Sequence, residues 1–426
     1  MKAVDRRGVV LWAGALLLAC AVSARAQGGL APTNGPEPTM KSLQQLWDKM
    51  QVMDARIVAN ALRTQDIQEQ VNASRAVTMA MFIDLARAQG LTISNVWQIQ
   101  TVDTAGSTGW NTSLAFTPSG LPAIGYNDDL VNNAIKYAEY DGRAWQIQTV
   151  GFGGEFGGEP SLKFLPSGFP AMAYNNGLTD GVMYAEYDGN VWNLHNVDAA
   201  IGLDGMYPSL AIAPSGRPAI SYFDGTHHKI RYTEYDGSTW QTQIVADCMS
   251  GNLSLGFTPG GRPAVAYGDT NAHLAYAEYD GSTWQTQSVY TAASVGFLSL
   301  AFTPRGRPAI SFRDFGVFRL KYAEYDGTAW QVSEVNTSGD GGVDSSLAFT
   351  PAGRPAISYY DNALRDLKYA EYDGSTWQIT TLDSVGDVGY CTSLAFSPSG
   401  RPAISYRDNT SQDLKYAECM GVQIRP

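Results

Sequence analysis

The stretch Ser346-Leu-Ala-Phe-Thr-Pro-Ala-Gly-Arg-Pro-Ala-Ile-Ser-Tyr-Tyr-Asp361 is followed, after a short loop, by Leu367-Lys-Tyr-Ala-Glu-Tyr-Asp-Gly-Ser-Thr-Trp377-Gln-Ile. Together they form the fullest copy of a unit that recurs along the chain. Each copy carries one tryptophan, and successive ones lie 44 to 48 residues apart: Trp97, Trp145, Trp192, Trp240, Trp284, Trp330 and Trp377. Residues 97–426 therefore consist of one unit repeated seven times, which indicates a ring or a solenoid.

Each unit contains four short segments of β-type composition, separated by Pro-Gly or Asp-Gly turns. In the quoted copy they are residues 347–350, 355–360, 367–372 and 377–382. In the first two segments, bulky residues alternate with small residues rather than with charged ones. Both faces of each sheet must therefore be buried, with the bulky face of one sheet against the small face of the next.

Seven four-stranded antiparallel sheets packed face to face around an axis make a seven-bladed β-propeller, so the fold class is all-β. The repeat begins with a fourth strand, residues 97–102, and ends with a third strand, residues 414–418. We expect these two segments to pair and to close the ring. The tail 421–426 resembles a shortened fourth strand and could compete for the same sheet edge.

The N-terminus has the pattern of a secretory signal peptide over residues 1–26. Lys2, Arg6 and Arg7 precede an apolar run over residues 9–22, and Ala24-Arg25-Ala26 supplies small residues at a cleavage site. The protein is expected to be secreted, either extracellular or periplasmic. An alternative is lipoprotein anchoring at Cys20, which follows Leu17-Leu18-Ala19. Residues 27–39 are rich in Gly and Pro and indicate a flexible leader.

Residues 40–90 have a helical periodicity and contain neither Pro nor Gly until Gly90. The pattern predicts a long α-helix before the propeller, a stalk of roughly 70 Å that forms a coiled coil and makes the protein a homo-oligomer through residues 43–88. The alternative is one amphipathic helix that packs on the next domain. The heptad seam consists of Leu43, Leu46, Met50, Met53, Ile57, Asn60, Thr64, Ile67, Val71, Ser74, Thr78, Met81, Leu85 and Ala88.

The composition excludes several classes of function. The formal charge of −12 opposes binding to nucleic acid or to anionic membrane surfaces. Beyond Cys20 the cysteines are Cys248, Cys391 and Cys419, an odd number, so disulfides are not expected to hold the fold together. Beyond the signal peptide, no apolar stretch is long enough to predict a membrane span.

The turn between the third and fourth segments carries a family resemblance. Tyr279-Asp-Gly-Ser-Thr-Trp284 resembles the Asp-box of sialidase-type propellers, Ser-x-Asp-x-Gly-x-Thr-Trp. Gly281, Thr283 and Trp284 match, whereas Ala277 and Tyr279 stand at the Ser and Asp positions, so the box is degenerate. The repeats are similar to secreted bacterial propellers of this kind, and the resemblance implies a structural role for the box, remote from any active site.

One face of the ring is expected to carry function. The turns 1–2 and 3–4 of each unit share one face and barely differ between copies, whereas the loops 2–3 and 4–1 share the other and differ in every copy. We expect a specific ligand on this variable face; the alternative is drift of unimportant loops after duplication. Candidate ligand-binding residues there are Trp110, Tyr207, Phe315, Tyr390, Asp128, Asp224, Asp269, Asp314, Asp361 and Asp408. The acids have an alternative role as caps of the loops that follow them.

Aromatic rings can stack on sugars while Asn and Asp hydrogen-bond their hydroxyls, so the sequence favours a binding module with weak, multivalent, lectin-like recognition of carbohydrate. The alternatives are an extracellular carbohydrate-active enzyme, such as a glycoside hydrolase or sialidase-like protein, and a protein-interaction scaffold with an extracellular protein ligand. No catalytic residue, metal ligand or cofactor is assigned. His227, His228 and His273 are read as solvated loop residues rather than a zinc or copper site.

Overall fold

The computed structural model describes residues 92–129, 133–154, 158–177, 181–198, 204–249, 251, 253–337 and 339–425. These residues form 28 β-strands in seven four-stranded sheets. The predicted signal peptide, leader and helical stalk lie outside them. Within the described ranges, no helix has the length and apolarity needed to cross a membrane.

The first strand of each repeat lies nearest the axis of the ring. These inner strands are β2 (Trp110–Phe116), β6 (Gly158–Phe164), β10 (Asp204–Ile212), β14 (Leu253–Phe257), β18 (Val295–Phe302), β22 (Val343–Phe349) and β26 (Val388–Phe396). The second strands are β3 (Pro122–Asp128), β7 (Pro170–Asn176), β11 (Pro218–Asp224), β15 (Pro263–Gly268), β19 (Pro308–Asp314), β23 (Pro355–Asp361) and β27 (Pro402–Asp408).

The third strands are β4 (Ala134–Tyr140), β8 (Gly181–Tyr187), β12 (Lys229–Tyr235), β16 (Leu274–Tyr279), β20 (Arg319–Tyr325), β24 (Asp366–Tyr372) and β28 (Asp413–Arg425). The outer strands are β5 (Trp145–Phe152), β9 (Trp192–Asp198), β13 (Trp240–Asp247), β17 (Trp284–Tyr290), β21 (Trp330–Glu334), β25 (Trp377–Asp383) and β1 (Thr92–Asp103). Blade 1 is β2–β5, and blades 2 to 6 follow in groups of four strands. Blade 7 joins β26, β27 and β28 to β1.

The ring closes as the sequence predicts. In blade 7 the strand order is β1-β28-β27-β26, so the first strand of the described chain pairs with the last one. The tail does not compete for this edge, because strand β28 continues to Arg425 rather than ending before Gly421. The seventh blade therefore joins the two ends of the repeat region in one sheet.

The core lies between the blades, and it confirms the expected division into bulky and small faces. Neighbouring residues of one strand enter different clusters: Ile124 packs towards blade 7, whereas Ala123 packs towards blade 2 beside Met172 and Tyr174. At the outer edge, each repeat tryptophan packs edge-on against a third-strand tyrosine of the preceding blade. The ring centroids of these seven pairs are 5.3 to 5.4 Å apart.

The predicted first residue of the inner strand was wrong. We expected it to start at Leu347, but β22 starts at Val343, and the corresponding strands of the other blades except β14 also begin several residues earlier. The reason is a β-bulge, which interrupts the register between Val343 and Ser346. A bulge breaks the period-two alternation from which strands are recognised, and it places additional residues at the axis.

Candidate functional site

The bulge recurs in six of the seven inner strands and gives one residue in each a left-handed backbone. The φ angles lie between 48° and 55° at Asn111, Glu159, Tyr207, Phe297, Asp344 and Cys391. Such angles are uncommon for residues other than glycine and cost free energy. The backbone is thus the same in each of these blades, while the side chain is different in each. The seventh position, residue 252, is outside the described part of the chain.

These six residues meet at one end of the central channel, where the inner strands of all seven blades line a cavity of about 300 Å³. The inner strands follow the loops 4–1, so this end opens on the variable face. We call the cavity the mouth. Its rim combines amide, carboxyl, phenol, phenyl and thiol groups, so the sevenfold backbone carries an asymmetric set of side chains.

Two carboxyl groups of the mouth each hold the neighbouring blade. Glu159 Oε2 accepts a hydrogen bond from the amide of Tyr207 at 2.6 Å, and Asp344 Oδ2 accepts one from the amide of Cys391 at 2.7 Å. Burial raises the pKa of Glu159 to about 7, although the Tyr207 amide opposes the shift. Burial likewise raises the pKa of Asp344 to about 6 against the effect of the Cys391 amide. Both groups therefore exchange protons near neutrality.

Two of the predicted aromatic residues, Trp110 and Tyr390, lie together beside the mouth. Their rings are edge-on with centroids 5.8 Å apart, and Tyr390 also contacts Tyr360 at 5.3 Å. The guanidinium carbon of Arg407 lies 4.3 Å from the Trp110 ring centroid, a cation–π contact. Arg407 also donates hydrogen bonds to Ser107 Oγ and to the Thr108 carbonyl, which fixes the loop that leads to Trp110.

The other two predicted aromatic residues approach the mouth from different blades. Tyr207 is itself a bulge residue and is 44% exposed. Its ring lies against Gly251, where an added Cβ would come within 2.0 Å of it, so only glycine leaves room for the ring. Phe315 contacts the bulge residue Phe297 with ring centroids 6.2 Å apart, and Arg313 lies over its ring at 5.6 Å. All four predicted aromatics thus border the mouth or contact a residue that does.

The six predicted acids, by contrast, are occupied by internal contacts. Each stands at the end of a second strand or directly after it and caps the following loop or pairs with a cation. Asp314, for example, accepts a hydrogen bond from the Gly316 amide at 2.7 Å and lies 3.0 Å from Lys321 Nζ. The same description covers Asp128, Asp224, Asp269, Asp361 and Asp408.

His227 and His273 each lie near the aspartate at the start of their own loop. His227 Nδ1 lies 3.0 Å from Asp224, whereas His273 is near Asp269, with 4.0 Å between His273 Nδ1 and the carboxylate. Among the described residues, no three His, Cys, Asp or Glu side chains are placed to hold a metal ion.

The turns of the opposite face are built alike in the copies. Asp280 Oδ1 accepts hydrogen bonds from the amides of Ser282 and Thr283 at 2.8 and 2.9 Å. These backbone hydrogen bonds hold the pKa of Asp280 well below its usual range. Asp280 therefore stabilises the turn between the third and fourth strands of its blade.

Sequence reasoning missed most of the mouth. Of the six bulge residues only Tyr207 was a candidate ligand-binding residue of the variable face; Asn111, Glu159, Phe297, Asp344 and Cys391 were not. The signal was available, because each stands two residues before a recurrent Ser-Leu pair, at a position that holds six different residue types in the seven copies. Variation at one position of an otherwise constant strand identifies the site.

No protein-family model matches the chain, and no curated protein matches it. Solved structures resemble it in fold. A polysaccharide lyase of family PL25, an ulvan lyase, is 14% identical with a TM-score of 0.56, over 77% of this chain and 98% of that one. A protein of unknown function from Dyadobacter fermentans is 14% identical with a TM-score of 0.50, over 78% and 99%. The lectin SapL1, solved with alpha methyl fucoside, is 13% identical with a TM-score of 0.48, over 65% and 97%.

Proposed function

We propose that this protein is a secreted carbohydrate-binding module whose site is the mouth of the propeller. The observation that carries the proposal is the bulge position: six strained backbones of the same geometry present six different side chains to one cavity. A strained conformation kept in six blades, with its side chain different each time, fits a ligand that has no sevenfold symmetry. We also infer that the repeats descend from degenerate sialidase-type units.

The chemistry of the rim favours a sugar. Trp110 and Tyr207 are partly exposed rings that can cover the apolar face of a pyranose, as aromatic side chains do in many ligand sites. Asn111 is exposed beside them and supplies both a donor and an acceptor for hydroxyl groups. A polysaccharide lyase has a similar fold, but at 14% identity this likeness shows the fold alone, so the carbohydrate class rests on the side chains of the rim.

The proposal is tested by binding the full-length protein to a broad glycan array. Trp110→Ala, Tyr207→Ala and Tyr390→Ala should each reduce binding to the best glycan at least tenfold, because Tyr207 lines the mouth and the rings of Trp110 and Tyr390 lie beside it. Val191→Ala is the matched control, since Val191 is an exposed apolar residue on the opposite face. If the array shows no binding while an extracellular protein does bind at the mouth, the module is an interaction scaffold instead.

A second candidate function is a carbohydrate-active enzyme, and the mouth carboxyls favour it. Glu159 and Asp344 have pKa values raised to about 7 and about 6, so each can hold a proton for a general acid step near neutrality. Incubation with uncharged and acidic polysaccharides, followed by measurement of new reducing ends, tests this function. Activity should then be lost in Glu159→Gln or Asp344→Asn. Binding without any release of reducing ends would leave the lectin function alone.

A further inference from the structure

The outer strands contain a bridge between blades that the repeat preserves only in part. Three residues after the repeat tryptophan, a glutamine accepts a hydrogen bond from the indole Nε1 of the next blade. Trp145 donates to Gln100 at 3.3 Å, and Trp284 donates to Gln243 at 3.2 Å. The pairs Trp192–Gln148 and Trp330–Gln287 repeat this geometry at 3.1 and 3.2 Å. The glutamine thus crosses the space between two outer strands.

Three blades replace the glutamine, with three different results. Between blades 2 and 3 it is His195, whose ring lies near Tyr184. Between blades 6 and 7 it is Thr380, and there Trp97 Nε1 is buried without a partner. Between blades 5 and 6 it is Ser333, and a groove of about 430 Å³ is open at this place. That volume is within the range of small-molecule sites, about 300 to 1,000 Å³.

The groove offers free polar groups on an aromatic wall. Trp377 and Tyr322 line it with their rings, and Pro355 completes the apolar side. Among the described residues, Trp377 Nε1 has no acceptor. Glu324 uses Oε2 to accept the Tyr322 hydroxyl at 2.6 Å, which leaves Oε1 without a partner in the described chain. In blades 4 and 7 the equivalent oxygens, on Glu278 and Glu418, face an arginine.

We propose that the groove between blades 5 and 6 binds one neutral sugar residue, as a second site on the face opposite the mouth. The indole N–H would donate to a sugar oxygen, Glu324 Oε1 would accept from a hydroxyl, and the rings would cover the apolar face of the pyranose. Acidic sugars are disfavoured, because Glu324 and Asp326 both line the groove. The ligand class rests on the proposed function, whereas the site stands on its own geometry.

A residue found in other copies of the repeat defines a variant that should close the groove. Ser333→Gln restores the residue that four other blades use, so it should re-form the bridge to Trp377 while keeping the fold. Full-length protein labelled with 5-fluorotryptophan would be titrated with methyl α-fucoside, methyl β-galactoside, methyl α-glucoside and methyl glucuronate. The Trp377 resonance, assigned by its loss in Trp377→Phe, should shift with at least one of the three neutral glycosides and not with the glucuronate.

In Ser333→Gln the affinity measured at Trp377 should fall at least tenfold, and Gln287→Ser should produce a new response at Trp330. The glycan affinity of the mouth, read from Trp110, should be the same in both variants. No shift at Trp377 with any neutral glycoside, or an unchanged shift in Ser333→Gln, would overturn the second site. If the Trp377 resonance responds to a glycoside and the Trp110 resonance does not, the proposed function of the mouth is contradicted and the second site in the groove stands.

Discussion

The backbone amide of Leu114 donates a hydrogen bond to Ser393 Oγ at 3.0 Å, joining the first inner strand to the last. The six other blade junctions contain the same bond, in which a serine of one inner strand accepts from the leucine amide of the next, at 2.9 to 3.0 Å. Seven serines therefore form a closed circle of hydrogen bonds around the channel. The ring is closed twice, here at the axis and at the rim by β1.

Removal of the Ser393 hydroxyl should destabilise the protein. Ser393→Ala leaves the partly buried Leu114 amide without an acceptor, which costs about 1–2 kcal/mol. Urea unfolding followed by tryptophan fluorescence measures the loss as a lower midpoint. Ser288→Ala is the control, because Ser288 is exposed on an outer strand and its midpoint should not change. An unchanged midpoint in Ser393→Ala would show that water replaces the hydroxyl without cost.

A missing outer bridge offers a stabilising substitution. Thr380→Gln places the repeat's own glutamine beside Trp97, whose Nε1 is buried without a partner. Satisfying that donor should raise the free energy of unfolding by about 0.5–1.5 kcal/mol. Thermal unfolding of this variant would be compared with Thr286→Gln, which adds the same side chain at an exposed position of an outer strand. A rise in Tm in both variants would assign the effect to something other than the bridge.

The sequence contains most of the fold and little of the site, for a physical reason. The turn residues and the order of the segments determine strand order and ring closure. The alternation of bulky and small residues, such as Ile357 and Ala356, determines the two faces of each sheet. The mouth depends on contacts between copies 47 or 48 residues apart, such as Asp344 with Cys391 and Glu159 with Tyr207. A single repeat contains only one member of each pair, so its pattern cannot show the contact.

The acids at the ends of the second strands illustrate the same limit. Their recurrence allowed either a ligand role or a loop cap, and the contacts of Asp314 with Gly316, Tyr290 and Lys321 favour the cap. Asp314→Asn should lower the free energy of unfolding by about 1–3 kcal/mol and leave glycan affinity unchanged. Denaturant midpoints and array binding measured on the same preparation check both parts. Reduced affinity at full stability would restore the ligand role.

The raised pKa of Glu159 predicts a dependence of stability on pH. The value is 4.5 for the ordinary group and about 7 in the folded protein, so the folded state holds the proton to higher pH. The stability that this proton contributes is complete below about pH 4.5 and is lost as the pH rises through 7. Glu159→Gln should therefore be more stable than the natural protein at about pH 8, by about 1–2 kcal/mol, and equal to it at about pH 4. Urea midpoints across this range measure the difference, and a constant difference at all pH values would contradict the linkage.

The stalk prediction concerns residues outside the described part of the chain and is tested in solution. A helix over residues 40–90 with the mainly apolar seam predicted above would remove that seam from water by pairing with other copies, so the full-length protein should contain two or more chains. Ile57→Glu together with Ile67→Glu places charges in the seam and should reduce the mass measured by light scattering to that of one chain. Gln51→Glu with Gln68→Glu adds the same charges away from the seam and should leave the oligomer intact.

Clustered propellers bind a glycan-coated surface more strongly by roughly 10² to 10⁴ without any new contact, so the seam variant should lose surface binding while its affinity for free glycoside stays the same. A natural protein that is already a single chain would instead favour a helix packed on the neighbouring domain, and it would remove avidity from the proposed function.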